Sequence, residues 1–227
     1  MKFPANVLRW EALARDEISR GAYPFPVEYP LAVCLVESRG SVGEVNPKSG
    51  ASGMMQIMPG TLEGYNKNNS PDIPLSQLRS SDHKYAPEQM RVGLWVMGQY
   101  LKQGYNWVSK TNPNPPLSDV IKVSDLMYVR GPAGVRTDFS DIQSRLFKDL
   151  VDRRPNYQPF AHPRTVWKWT NEENSADWDT PAIDNWVTGQ TEQPEEPPPM
   201  IAQTNGFIGA LLILAFASWY FQNYMRD

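Results

Sequence analysis

Apolar residues recur at helical spacing through most of the first 154 residues. In PEQMRVGLWVMGQYLKQG, Met90, Leu94, Met97 and Leu101 fall three or four positions apart. That spacing predicts a helix that starts at Pro87 and stops at Gly104. The run LAVCLVES is apolar nearly all round, the mark of a central helix, with Pro30 at its first position. RWEALARDEI predicts a short amphipathic helix, with Leu8, Ala12 and Arg15 on one side and Trp10, Leu13 and Ile18 near the other. Ser118 and Ser140 read as N-caps of LSDVIKVSDLMYV and DIQSRLFKDLVDRR, the second ending before Pro155. No long alternation of apolar and polar residues occurs here. The fold class is therefore mostly α, with any sheet confined to the loop after Glu37.

The periodicity fails after residue 154. Residues 155–187 hold Trp167, Trp169, Trp178 and Trp186 in a Pro- and Asn-rich context. Packing of this extension on the domain and sugar stacking by its tryptophans are both open readings, the first the stronger. Residues 188–205, TGQTEQPEEPPPMIAQTN, have almost nothing to bury and read as an extended, solvated linker. Residues 206–222 read as a transmembrane helix. Gly206 to Phe221 pass without a charge, and Trp219, Tyr220 and Tyr224 cluster where an aromatic belt would sit. The N-terminal MKFPANVLRWEALARDE has no apolar core of the kind a cleavable secretory signal needs.

Charge divides the chain in the same places. Residues 1–154 carry 19 Lys and Arg against 16 Asp and Glu, whereas residues 155–205 carry 2 against 8. A net charge of −3 gives no reason to expect a nucleic-acid partner. The single Cys34 sits among apolar neighbours and excludes both an internal disulfide and a cysteine-based zinc site. Its role is structural.

Candidate chemistry concentrates in ESRGSVGEVNPKSGASGMMQIMPGT, residues 37–61. Glu37 closes the apolar helix at the rim of the core, where loss of water favours the neutral, proton-donating form of a carboxyl. Gly50 and Gly53 would let backbone come close to a ligand. Asn46 and Gln56 offer amides, and Met54, Met55 and Met58 an adaptable apolar wall. From composition alone, a buried Glu capped by its own loop, with no chemistry, fits as well.

The run ES…NPKSGASGMMQIMPGT resembles the signature of the soluble lytic transglycosylase family, which shares the goose-type lysozyme fold. VGLWVMGQYL and LMYVRGPAGV resemble two further blocks in the family's order, so the likeness spans residues ~6–150 and implies a lysozyme-like domain over 1–154. The resemblance makes Glu37 the catalytic acid/base. It places Asn46, Gln56, Met58 and Tyr128 against the substrate. The sequence departs from the pattern at Asn46, where many members have Ser, at Val129, where Asn is usual, and at Ala133, which displaces Gly134. The implied reaction cleaves the MurNAc-β-1,4-GlcNAc bond of peptidoglycan and closes a 1,6-anhydro ring on MurNAc, with one carboxylate and neither metal nor cofactor. The next acids, Glu44 and Glu63, match no family carboxylate. A hydrolytic muramidase and a non-catalytic peptidoglycan-binding virion protein stay open as alternatives. An enzyme domain on a C-terminal anchor also resembles the virion transglycosylases of bacteriophages with an internal membrane. That layout implies residence in the virion membrane, action on the periplasmic cell wall during genome delivery, and lipid, glycan strands and other virion membrane proteins as partners.

Overall fold

The computed structural model describes residues 1–189. These are mostly helical. A short α1 (Ala5–Leu8) leads into α2 (Glu11–Arg20) and the central α3 (Glu28–Ser38). A long loop follows, then α4 (Pro59–Asn68), α5 (Leu75–Leu78) and the longest helix, α6 (Ala86–Ser109). Next come α7 (Leu117–Arg130), α8 (Pro132–Asp138), α9 (Phe147–Arg153), α10 (Ala161–Trp167) and α11 (Thr180–Gly189). A π turn, Lys168–Glu172, continues α10. Extended pairing is limited to single bridges, Val45 to Ser52 and Ser52 to Ile57, in the loop after Glu37.

From Tyr29 to Ser38 every residue of α3 is buried, because helices cover it on all sides. Along α6, Met90, Leu94, Met97 and Leu101 are all sealed at 1% exposure or less. Each such burial stabilises the fold by roughly 1.5–3 kcal/mol. Helix α10 lies across both α3 and α7. It therefore brings residues beyond 154 against the centre of the domain.

Several helix boundaries differ from the sequence expectation. Helix α3 begins at Glu28, which puts Pro30 at the third position; a first-turn residue has no carbonyl to donate to, so its missing N–H costs nothing. Gly104 does not stop α6, which continues to Ser109. It marks instead the close crossing with α7, where a Cβ would lie 2.3 Å from Ser124 Oγ. Neither serine is an N-cap. Helix α7 starts at Leu117 after Pro116. The Ser140 hydroxyl donates back to Thr137 O at 3.0 Å, and α9 begins only at Phe147. Around α2, Ala14 and Glu17 are buried and Trp10, Leu13 and Ile18 of the second face named above pack on the core, whereas Ala12 and Arg15 are exposed. Glu17 is 2% exposed and accepts both Nε and Nη2 of Arg91 at 3.0 Å, with Arg20 Nη1 at 2.7 Å.

The tryptophans after residue 154 sit against the helices. Trp169 stacks on Phe3 at 5.7 Å, Trp178 tilts over Tyr29 at 5.3 Å, and Trp186 lies 6.2 Å from Tyr23. Thr188 and Gly189 close α11 rather than open a linker. The rest of the expected linker, and the whole of the expected membrane helix at 206–222, lie outside the described residues. Among the described residues no helix is long and apolar enough to cross a membrane.

Candidate active site

Glu37 occupies the last turn of α3, 8% exposed. The helix ends one residue later in a left-handed turn at Arg39, whose N–H donates to Leu35 O at 3.1 Å. Ser38 Oγ donates to Met54 O at 2.7 Å and so ties the helix end to the returning loop. That loop is anchored from the other side by Gln89 of α6. Its Oε1 accepts from Met54 N at 3.0 Å while its Nε2 donates to Gln77 O at 3.1 Å. Gly53 is needed here for the fold rather than for a ligand. At φ +80° its missing Cβ leaves room for Gln89 Oε1, which would be 2.9 Å away.

The polar side chains read from the sequence as substrate contacts are engaged within the protein. Asn46 Oδ1 accepts the N–H groups of Lys48 and Ser49 at 3.0 and 3.2 Å, forming its own turn. Gln56, itself at φ +49°, donates from Nε2 to Gly53 O and Glu44 O at 3.0 and 3.2 Å. Met54 and Met55 point into the core, and Met58 alone of the three is exposed, at 36%. Tyr128 of α7 donates its hydroxyl to Met55 O at 2.6 Å. Val129 faces solvent at 36% exposure, and Glu44 and Glu63 are exposed as well.

Two residues complete the surroundings of Glu37. His162 Nε2, on α10, stands 2.9 Å from Glu37 Oε1. This is an ion-pair contact whose N–H is too far off line for a well-formed hydrogen bond, and Nδ1 has no partner among the described residues. The imidazole lies parallel to the Tyr128 ring at 6.1 Å and 9°. Behind it Asp125, fully buried, accepts from Tyr29 OH at 3.0 Å through Oδ1, while its Oδ2 has no partner. Burial pushes Asp125 up to about 7, against the opposing charge of His162. Burial alone would lower His162, but the contact and charge of Glu37, with the charge of Asp125, leave it above its ordinary value. Burial also pushes the Tyr29 and Tyr128 hydroxyls and the Cys34 thiol up, so all three stay neutral.

Residues 20–113 match the family model of the transglycosylase SLT domain. The likeness to that domain extends over this span of the chain. It holds α3, the loop and α6. It stops before α7, so Asp125, Tyr128 and His162 come from outside the matched span. No curated protein and no solved structure matches the chain.

Sequence reasoning missed His162 and Asp125. Asp125 had a signal: it stands three residues before Tyr128, on the same side of a helix. His162 had only its rarity, as one of two histidines in the chain. A groove of about 480 Å³ lined by Tyr23, Phe25, Asp177, Asp179 and Trp186 shares no residue with this cluster.

Proposed function

We propose that the protein is a peptidoglycan lytic transglycosylase that cleaves the MurNAc-β-1,4-GlcNAc bond and releases 1,6-anhydro-MurNAc ends. Glu37 is its acid and base. The observation that carries this reading is the pairing of one carboxylate at the helix end with a second that no sugar can reach. Asp125 is coupled by charge to Glu37, and it is 0% exposed. A glycosidase that uses two carboxylates needs both to flank the scissile bond. With one, the nucleophile must come from the substrate. Glu37 gives a proton to the glycosidic oxygen, the N-acetyl group of MurNAc assists departure, and the same sugar's O6 closes on C1. Glu37 then takes the O6 proton, and no water is consumed. Met58, exposed beside the turn, lines the sugar path, and Asn46, Gln56 and Tyr128 shape it by holding the loop.

Mass spectrometry of muropeptides after digestion tests the chemistry. Products lighter by one water than hydrolytic fragments are expected. Hydrolytic fragments would make the protein a muramidase, and intact sacculi would make it a binding protein.

The location proposed is the membrane of a bacteriophage virion, with the apolar segment at 206–222 as anchor and local wall opening during genome delivery as the role. The support is the layout of an SLT domain ahead of an uncharged apolar run. Zymography of purified virions should show activity that detergent extracts together with the lipid. Activity confined to the infected-cell lysate would assign the enzyme to release instead.

A further inference from the structure

Glu37 has to lose a proton and regain one within a single turnover, in a site almost closed to water. The group it touches should therefore tolerate both of its states. A guanidinium would not, since it would hold the carboxylate charged throughout. His162 does: imidazole is the one side chain that exchanges a proton near neutrality. It sits 2.9 Å from Glu37 Oε1, 4% exposed, held flat against Tyr128. We propose that His162 is the positioning residue of the reaction and the store of the proton that Glu37 donates and retrieves. This rests on the transglycosylase reading above.

The pair carries one proton. At rest it lies on one or other of the two groups, 2.9 Å apart, as in other coupled sites that titrate as a unit. When glycan closes over the site, water is excluded and the neutral arrangement, protonated Glu37 beside neutral His162, is favoured. Glu37 passes the proton to the glycosidic oxygen as the bond from C1 to that oxygen breaks. The resulting carboxylate faces the Nε2–H of His162. The O6 electron pair forms the new bond to C1, the O6 proton goes to Glu37, and the pair again holds one proton. Every proton is returned, so the cycle needs no external acid.

The groups that face His162 from each neighbouring helix fit that role. From α3 come Glu37, with Tyr29 and Cys34 held neutral by burial. From α7 come Tyr128, likewise neutral, and Asp125, whose unpaired Oδ2 adds negative charge behind the ring. Glu37 and Asp125 are the groups that raise the proton affinity of His162. Lys122 of α7 is turned to the Trp167 ring at 4.5 Å and is coupled to Asp119, Glu172 and Arg164. The 3-10 turn Gln158–Phe160 before α10 contributes no titratable group, and Lys168 and Glu172 lie on the π turn after it.

The test uses the full chain in detergent. His162→Gln should keep a donor beside Glu37 but cannot store a proton. Its kcat on peptidoglycan should fall by about 10²-fold, the scale of one general acid–base contribution, with KM nearly unchanged. In the wild type, activity should fall as pH rises past the point where the pair loses its proton, above the usual histidine range. In His162→Gln that limb should move to lower pH, because Glu37 alone must then hold the proton. With two histidines in the chain, NMR can follow both without relying on the variant's folding. His162 should titrate above 6.5 in the wild type and at lower pH in Glu37→Gln, where only the charge of Asp125 still opposes burial. If the wild type yields anhydro muropeptides and Glu37→Gln none, while His162→Gln keeps the wild-type kcat and pH profile, the proposal falls and the transglycosylase reading stands. A His162 signal unmoved by Glu37→Gln overturns it equally. A wild type that leaves peptidoglycan intact removes the transglycosylase reading, and the proposal with it.

Discussion

Among the described residues two glutamates are buried, and the ways the protein surrounds them are opposite. Glu17, between α2 and α6, is gripped by two guanidiniums at 2.7–3.0 Å. Those cations never release a proton, and the charge-assisted bonds work as a clamp between helices. Glu37, between α3, α7 and α10, has a histidine for its partner and a carboxyl pushed up to about 7 behind it. Both of these neighbours can change their charge near neutrality. Burial alone therefore does not mark a catalytic carboxyl. The nature of the partner does, because it decides whether the charge can change.

The largest effect expected from breaking this contrast is at Glu37. Glu37→Gln is nearly isosteric and should lower peptidoglycan cleavage by about 10⁴-fold, some 5 kcal/mol of barrier, since in the proposed reaction one group serves as both acid and base. The melting temperature should stay close to wild type. A Gln variant with substantial activity and an unchanged melting curve would remove Glu37 from the chemistry.

Next is the pH dependence of stability around the Glu37 cluster. Asp125 is raised from its ordinary 3.8 to about 7, and His162 is raised above 6.5. A group with a raised folded-state value stabilises fully below its unfolded value, and that stability is lost as pH rises through the folded value. Asp125 therefore makes the fold lose stability from about pH 4 to pH 7, on the order of 4 kcal/mol in full. His162 extends the decline past pH 6.5. Denaturant titrations of Asp125→Asn should show a flatter slope over pH 4–7 and a more stable protein at pH 8. An unchanged slope would mean that the charge of Asp125 is relieved in some other way.

The Glu17 clamp should behave differently on both counts. Arg91→Met leaves a buried carboxylate with Arg20 as its remaining partner and should cost about 3 kcal/mol. The joint change Glu17→Met with Arg91→Met should recover most of that, because a buried ion pair is often replaceable by apolar side chains. Activity per folded molecule should be untouched in both. Loss of kcat in the stable double variant would show that the two glutamates are coupled.

What the sequence revealed follows the range over which each feature is determined. The helices, Glu37 and its glycine-rich loop are set by residues close in the chain, and the 3.6-residue period and the motif spacing carry them. Helix ends were harder. Gly104 looks like a stop signal in isolation, yet it serves a contact with Ser124 that only the crossing of α6 and α7 creates. The partners of Glu37 are further still from local pattern. Tyr29 and Asp125 meet across 96 positions, and His162 arrives on a helix that begins past the apparent end of the domain. Asn46 and Gln56 show the converse. Their amides suit a sugar, but the same chemistry satisfies the loop's own backbone, and spacing cannot tell one from the other.

The smallest effect is expected at Tyr128, where the two glutamate environments can be compared one hydrogen bond at a time. Its hydroxyl donates to Met55 O at 2.6 Å, and its ring backs His162. Tyr128→Phe keeps the ring and leaves that carbonyl without its donor, which should cost about 1 kcal/mol of stability. Since the hydroxyl's proton is already committed to the loop, KM for glycan should change little. The kcat should fall only a few-fold, as far as looser packing of the loop and of His162 disturbs Glu37. An increase of KM by tenfold with no loss of stability would assign the hydroxyl to the sugar instead. The tyrosine would then belong to the substrate path directly, and Met55 would be its resting partner between turnovers.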